Sequence, residues 1–179
     1  MTNKPSTESS LSGHRGQHLI SAQQLSARLG ESSLRVIDVT THLKVLPSGD
    51  FSGVSGRADY EAGHIPSAVY LDLQNDLSDN TSPFRFTVPS VAQFESAMQL
   101  AGVSDTDTVV VYAANHPMWA CRAWWLFKVF GHHQVLVLDG GLPAWQALGL
   151  ALSTAIEPVP TTAYAARYQT EQVIDGDTL

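Results

Sequence analysis

Two kinds of apolar pattern alternate along the chain. Short runs rich in β-branched and other apolar residues predict buried strands at 35–39, 68–71, 108–112 and 134–138. Between these runs, apolar residues recur at helical spacing and predict helices at 21–30, 90–102, 118–130 and 142–148. Strands that alternate with helices in this way favour right-handed crossovers. The predicted fold class is therefore α/β, an open parallel sheet flanked by helices on both faces.

The helix ends carry recognisable capping signals. Ser21 and Ser90 each precede a glutamine by three residues, which is the spacing of a capping box. Gly30 and Gly102 follow the last apolar position of their helices, where glycine commonly ends a helix. In open parallel sheets, ligands bind beyond the carboxyl ends of the strands. The segment that follows Tyr112 is therefore where chemistry is expected.

The chain divides into three predicted parts. Residues 1–17 are polar and lack apolar periodicity, so they are predicted to be a disordered N-terminal segment. Residues 18–153 form the predicted domain, and 154–179 are predicted to be a linker and the start of a second, missing domain. The second expectation depends on a repeated spacing of apolar residues. The matching positions are Leu19, Ile20 and Leu25 near the start, and Val173, Ile174 and Leu179 in the tail.

Composition excludes several classes of partner. The formal net charge is −7, and the 10 lysines and arginines form no cluster that would neutralise phosphates, so a nucleic-acid partner is not expected. No segment has the apolar length of a signal sequence or a membrane span, and we expect a cytoplasmic protein with no membrane contact. The single cysteine, Cys121, can form neither an internal disulfide nor a thiolate metal cage alone.

Three segments together resemble the rhodanese family. The first is GRADYEAGHIPSAVYLDL at 56–73, in which Ser67 stands where the family usually has glycine. The second is VLVLDGGLPAW at 135–145. The third combines SPFRFTVPSVAQF at 82–94 with VVVY at 109–112 and CRAWWLFKVFGHHQV at 121–135. This third set resembles the N-terminal half of the tandem thiosulfate and 3-mercaptopyruvate sulfurtransferases, and the whole resemblance covers about residues 19–152.

The resemblance implies a particular site for chemistry. In the family, a cysteine directly after the VVVY-like strand carries sulfur as a persulfide, and backbone N–H groups at a helix N-terminus stabilise its thiolate. Ala113 occupies that position here. The resemblance therefore implies a non-catalytic rhodanese domain, inactive alone. Its implied partner is a C-terminal catalytic rhodanese domain, in the same chain or separate, through which small sulfur donors would react. No cofactor is implied.

Other residues leave alternatives open. Cys121 is expected to be a buried or half-buried helix residue, with a relocated active thiol as the alternative. Met118 and Trp119 match positions that face the partner's cleft in the tandem family, so they are either cleft-wall residues or simple packing residues. Trp119 also occupies the position of the phosphate-binding arginine in related phosphatases, which argues against that activity. The alternative function is a free-standing regulatory or anion-binding module with an inert pocket.

The histidines are given structural roles. His64, just before Ile-Pro, is expected to hydrogen-bond to the backbone of its turn. His132 and His133, together with His116, lack an Asp or Glu at helical ligand spacing, so we expect the adjacent two to be a surface pair and no metal site.

Overall fold

The computed structural model describes residues 18–174 and contains seven strands and five helices within them. The strands are β1 (Leu19–Ile20), β2 (Leu34–Asp38), β3 (Thr41–Val45), β4 (Phe51–Ser55), β5 (Ala68–Tyr70), β6 (Thr108–Tyr112) and β7 (Val135–Leu138). The helices are α1 (Ala22–Arg28), α2 (Arg57–Ala62), α3 (Val91–Leu100), α4 (Pro117–Val129) and α5 (Gly141–Ala147). A short 3₁₀ turn follows at Thr170–Gln172. None of the helices in the described part is long and apolar enough to cross a membrane.

Five strands form one sheet in the order β1-β7-β6-β2-β5, and every neighbouring pair is parallel. Adjacent residues of a strand point to opposite faces of the sheet. Ile37 and Val111 accordingly belong to a core beneath α3 and α4, whereas Val36 and Tyr112 belong to a core beneath α1, α2 and α5. The predicted parallel sheet with helices on both faces is confirmed.

The predicted caps are also confirmed. At α1, the Ser21 hydroxyl accepts the Gln24 N–H while the Gln24 side chain accepts the Ser21 N–H, which completes a capping box. At α3, the Ser90 hydroxyl accepts the Gln93 N–H. The Gln93 side chain instead donates to backbone carbonyls of the preceding loop, at 2.8 Å from Ser78 O. This second cap therefore also ties α3 to the loop that leads into it.

Strands β3 and β4 form a separate antiparallel hairpin that the sequence pattern did not predict. The turn is closed by hydrogen bonds between the backbones of Leu46 and Asp50 and of Gly49 and Leu46. Leu43, Val45 and Phe51 are exposed, and residues paired directly across an antiparallel ladder share one face. The hairpin therefore presents an apolar face that the domain core does not bury.

Part of the segment after residue 153 packs against the domain. Tyr164 is buried in the core beneath α3 and α4, and Val173 is partly buried against the same core. The Arg167 N–H donates to Phe130 O at 2.9 Å, which joins this segment to the end of α4. Residues 164–173 of the predicted linker therefore contact the domain at several points, whereas 154–158 are exposed. The predicted disordered segment 1–17 and Leu179 lie outside the described residues, and the second domain stays a prediction.

Candidate functional site

The loop between β6 and α4 occupies the carboxyl edge of the sheet, where the sequence placed the candidate site. Ala113, its first residue, is buried, and its carbonyl accepts the Leu142 N–H at 3.2 Å. Gly141 has a left-handed φ of +57°, and a Cβ there would lie 2.5 Å from Ala113 O. The Asp-Gly-Gly turn after β7 therefore fits closely against Ala113 and helps to fix its backbone.

Side chains of this region use the N–H groups of the loop. The Ala114 N–H donates to the Thr40 hydroxyl at 2.9 Å, and the His116 N–H donates to the Asn115 side-chain oxygen at 2.6 Å. His116 then caps α4, because its Nδ1 accepts the Met118 N–H at 3.2 Å. A thiolate or other anion at a helix N-terminus depends on such donors being free. Three of the donors here already have protein acceptors.

The buried carboxylate of Asp38 supports this loop through Thr40. The Asp38 carboxylate, at the end of β2, accepts both the N–H and the hydroxyl of Thr40. Burial raises the pKa of Asp38, whereas its hydrogen bonds with Thr40 act in the opposite direction. Burial, and then the charge of Asp38, raise the pKa of Tyr112, whose hydroxyl accepts the Ile65 N–H. Asp38 therefore fixes Thr40 as the acceptor for the loop.

A cavity of about 310 Å³ lies beside Ala113. Its walls include Ala120, Gly140 and Pro143, and its only ionisable lining residue is Asp139. Asp139 is exposed, so water screens its charge. The evidence against a bound persulfide or anion is therefore the hydrogen bonding of the Ala114 and His116 N–H groups.

Met118 and Trp119 line a different cavity, of about 430 Å³, between the start of α4 and the hairpin. Trp119 is 4% exposed and its ring lies 5.4 Å from that of Phe86, whereas Met118 is 41% exposed. The structure thus brings the two predicted cleft-wall residues together at one apolar cavity. Their role towards a partner domain stays a prediction. Leu43 and Phe51 of the hairpin complete the walls, and neither was predicted as a site residue.

The prediction that Cys121 is buried or half-buried is wrong, because the side chain is exposed. The buried face of α4 is formed by Trp119, Ala120, Ala123, Leu126, Phe127 and Val129. At about 100° per residue, Cys121 falls on the opposite side of the helix. It lines neither the cavity beside Ala113 nor the cavity beside Trp119. Its position therefore gives no support to a relocated nucleophile.

The predicted role is confirmed for His64, whereas the predicted exposure of His132 is corrected. His64 is buried, and its Nδ1 contacts Tyr60 O at 2.7 Å, so its predicted bond to the backbone is confirmed. The predicted surface pair is wrong for His132, which is buried, while His133 is exposed. His132 Nε2 contacts Asp107 O at 3.0 Å, and burial lowers the pKa of the imidazole. Within residues 18–174, no three or more His, Cys, Asp or Glu side chains are grouped as a metal site would require.

The five-stranded parallel sheet and its two helical layers define a rhodanese-type α/β domain, in which Ala113 is the first residue after β6. The model of the Rhodanese-like domain family matches residues 21–148. The chain belongs to the rhodanese-like domain family.

Similar proteins are sulfurtransferases of about twice the length. Thiosulfate/3-mercaptopyruvate sulfurtransferase 2 of Arabidopsis thaliana is 32% identical over 162 residues, which are 90% of this chain and 45% of that protein. Human 3-mercaptopyruvate sulfurtransferase is 34% identical over 142 residues, which are 78% and 46% of the two chains. The crystal structure of a 3-mercaptopyruvate sulfotransferase from Escherichia coli superposes with a TM-score of 0.80 at 29% identity, covering 89% of this chain and 58% of that one. The chain therefore spans about half the length of these relatives.

Proposed function

We propose that this chain is the non-catalytic rhodanese half of a two-domain sulfurtransferase that uses thiosulfate or 3-mercaptopyruvate as its sulfur donor. The observation that carries the proposal is the loop after β6, which begins with Ala113 in place of a cysteine, and in which side chains accept the Ala114 and His116 N–H groups. A methyl group can neither attack a sulfane sulfur nor carry one. The names and the double length of the relatives support the same role.

The chemistry in this proposal belongs to the second domain. Its cysteine thiolate attacks the sulfane sulfur of thiosulfate and displaces sulfite, or attacks the thiol sulfur of 3-mercaptopyruvate and displaces the enolate of pyruvate. The enolate takes up the proton of that thiol, and either attack leaves a persulfide on the cysteine. The persulfide then passes its sulfur to a thiol or to cyanide, which regenerates the thiolate. This chain contributes Met118 and Trp119 as an apolar wall that keeps water from the reacting sulfur.

The apolar face of the hairpin supports a covering partner. Leu43, Val45, Phe51 and Met118 are all exposed, and three of them line the 430 Å³ cavity. Clustered exposed apolar side chains commonly mark a surface that contacts another protein or domain. The occupant in this proposal is the catalytic rhodanese domain. The alternative of a free-standing anion-binding module is less well supported, because side chains already accept the Ala114 and His116 N–H groups.

The first test measures sulfur transfer by the purified chain from each donor to cyanide, with thiocyanate and pyruvate as products. We expect no transfer by the wild-type chain or by Cys121→Ser. Ala113→Cys should also remain inactive or nearly so, because the Ala114 and His116 N–H groups already have side-chain acceptors and are not free to stabilise a thiolate. Transfer that disappears in Cys121→Ser would instead make Cys121 the nucleophile and would overturn the proposal.

The second test joins this chain to the half of the E. coli 3-mercaptopyruvate sulfurtransferase that it does not match. We expect the fusion to transfer sulfur faster than that half alone, and Met118→Ser to raise KM more than it lowers kcat. A control substitution, Lys44→Ser, lies on the other face of the hairpin and should leave the fusion unchanged. A folded fusion that is no faster than the catalytic half alone would refute a role for this chain in the cleft.

A further inference from the structure

A series of polar side chains links α2, the hairpin and the loop before α4. The Asp59 carboxylate, on α2, contacts His42 Nε2, on β3. His42 Nδ1 lies 3.3 Å from the side-chain nitrogen of Asn115, and that nitrogen also donates to Thr41 O at 2.8 Å. The Asn115 side-chain oxygen accepts the His116 N–H at 2.6 Å. A carboxylate, an imidazole and an amide are therefore connected in sequence to a backbone N–H of the loop.

Two backbone partners fix the orientation of the Asn115 amide. The His116 N–H requires an oxygen and Thr41 O requires an N–H, so exchanging the two amide atoms would lose both bonds. The second hydrogen of the amide nitrogen is then available to His42 Nδ1, which accepts it. An imidazole that accepts at Nδ1 carries its one proton at Nε2, where it donates to Asp59. His42 is therefore a neutral ring in this arrangement.

Protonation of His42 reverses the contact at one ring nitrogen. Imidazole is the side chain that most readily gains a proton between pH 8 and 5. The Asp59 carboxylate accepts from Nε2–H in both protonation states and holds the ring in place. Protonated Nδ1, however, becomes a donor that faces the N–H of Asn115. Rotating the amide would set its oxygen against Thr41 O and its nitrogen against the His116 N–H, so both bonds are lost.

We propose that this series is an acid-sensitive switch between the hairpin and the β6–α4 loop. When His42 gains a proton, the Asn115 side chain turns away, Thr41 O loses its donor and the His116 N–H becomes free. His116 is also the N-cap of α4, so the change reaches the start of the helix that carries Met118. The switch requires neither a second domain nor sulfur transfer, and its failure is therefore measured separately from that of the proposed function.

The groups around His42 come from the loop and from four elements. They are Asp59 of α2, Lys44 of β3, Val54 of β4, Asn115 and His116 of the loop, and Leu142 and Gln146 of α5. Among them, only His116 has a side chain that also gains a proton in this pH range. Its Nδ1 accepts the Met118 N–H, so its own protonation would disturb the cap of α4. The test must therefore separate the two histidines.

The base of the hairpin stays attached in acid. The Tyr70 hydroxyl donates to Thr40 O at 3.0 Å and accepts the Gly56 N–H at 2.9 Å. Burial raises the pKa of Tyr70, so this hydroxyl keeps its proton throughout the range. The switch therefore changes the contact between the hairpin and the loop, while the sheet remains folded.

The test is an NMR titration of the purified chain from pH 8 to 5. The imidazole resonances of His42 report its protonation, and the side-chain amide of Asn115 and the backbone amide of His116 report the switch. We expect all three to change with one midpoint, the His116 amide proton moving upfield as its hydrogen bond is lost. Protection of this amide from solvent exchange, corrected for the intrinsic rate, should fall about fivefold, which corresponds to the net value of one hydrogen bond.

Three variants assign the change. His42→Gln should make the His116 amide independent of pH. His116→Asn keeps a side chain that caps helices but does not titrate, so the amide of residue 116 should retain its wild-type pH dependence. Asn115→Ala should leave that amide weakly protected at both ends of the range.

Four results would overturn the proposal. One is a His42 ring that keeps a single protonation state from pH 8 to 5, and another is a ring that gains a proton while both amides stay unchanged. The third is pH dependence of the His116 amide that persists in His42→Gln. The fourth is pH dependence that disappears in His116→Asn, which would assign the change to the cap of α4.

Discussion

Tyr164 provides the sharpest test of how the segment after residue 153 belongs to the domain. Its side chain is 5% exposed, lies edge-to-face on Phe94 and stacks on His132. Its hydroxyl lies 3.2 Å from His132 Nδ1. Removing a buried aromatic ring usually costs about 3–5 kcal/mol of unfolding free energy, because the lost contacts leave a cavity. We expect Tyr164→Ala to fall in that range and Tyr164→Phe to lose about 1 kcal/mol, the usual value of one hydrogen bond.

The assay is urea unfolding followed by tryptophan fluorescence and by far-ultraviolet circular dichroism. Tyr168→Ala is the control, because Tyr168 is 39% exposed and contacts Phe130 at the surface of the same segment. Its loss should stay below about 1.5 kcal/mol, since much of the ring already faces water. If Tyr164→Ala costs no more than Tyr168→Ala, the segment does not unfold together with the domain and the reasoning is refuted.

Two further predictions concern His132 and Cys121, whose exposure was predicted wrongly from the sequence. Burial lowers the pKa of His132, so the folded chain holds it neutral while the unfolded chain takes up a proton below about pH 6.5. Its contribution to stability is therefore complete above that pH and is lost as the pH falls towards the lowered pKa. Between pH 7.5 and 5, the unfolding free energy should fall less steeply in His132→Gln than in wild type, and His133→Gln should keep the wild-type slope. Equal slopes in all three proteins would show that His132 does not cause this loss of stability. The exposed Cys121 should react with Ellman's reagent in the native chain within about tenfold of its rate in urea, and Cys121→Ser should change stability by less than about 0.5 kcal/mol; strong protection of the thiol would place it in the interior.

Local sequence patterns were sufficient to predict elements that can be recognised from their own residues. The run Thr108–Tyr112 is β-branched almost throughout, and it forms a central strand of the sheet. The capping residues Ser21 and Ser90 were also readable, because a cap bonds to atoms only three residues away. The position of Ala113 followed from the end of its strand and from the family resemblance. Such features depend on short stretches of chain.

The hairpin was missed although a signal was present. Two short strands joined by a turn fit this part of the sequence, which reads THLKV, then the turn residues Pro-Ser-Gly-Asp, then FSGVS. The core does not bury this hairpin, so its apolar residues gave no consistent inward face from which to recognise it. Cys121 was misplaced for a simpler reason, since the helical period of the buried residues of α4 already leaves it on the outer side.

Long-range contacts account for the remaining differences. His132 is buried partly because Tyr164, 32 residues later, lies against it, and no local pattern contains that contact. The Ala114 N–H is accepted by Thr40, which is 74 residues earlier. Arg85 and Arg122 likewise meet at one cavity only through the fold. The sequence could therefore locate the candidate loop, but not its hydrogen bonding or the neighbouring apolar cavity.

The lengths of the strands determine where copies of this chain could join edge to edge. The main sheet ends in β1 and β5, which have only two and three residues, and such short edges offer few free N–H and C=O groups for strand addition. The hairpin has two five-residue strands and therefore two longer edges, next to an exposed apolar face. Aggregation of an isolated chain should thus begin at the hairpin. Val45, which is 61% exposed, is the position where a charged side chain would oppose that association without disturbing the core.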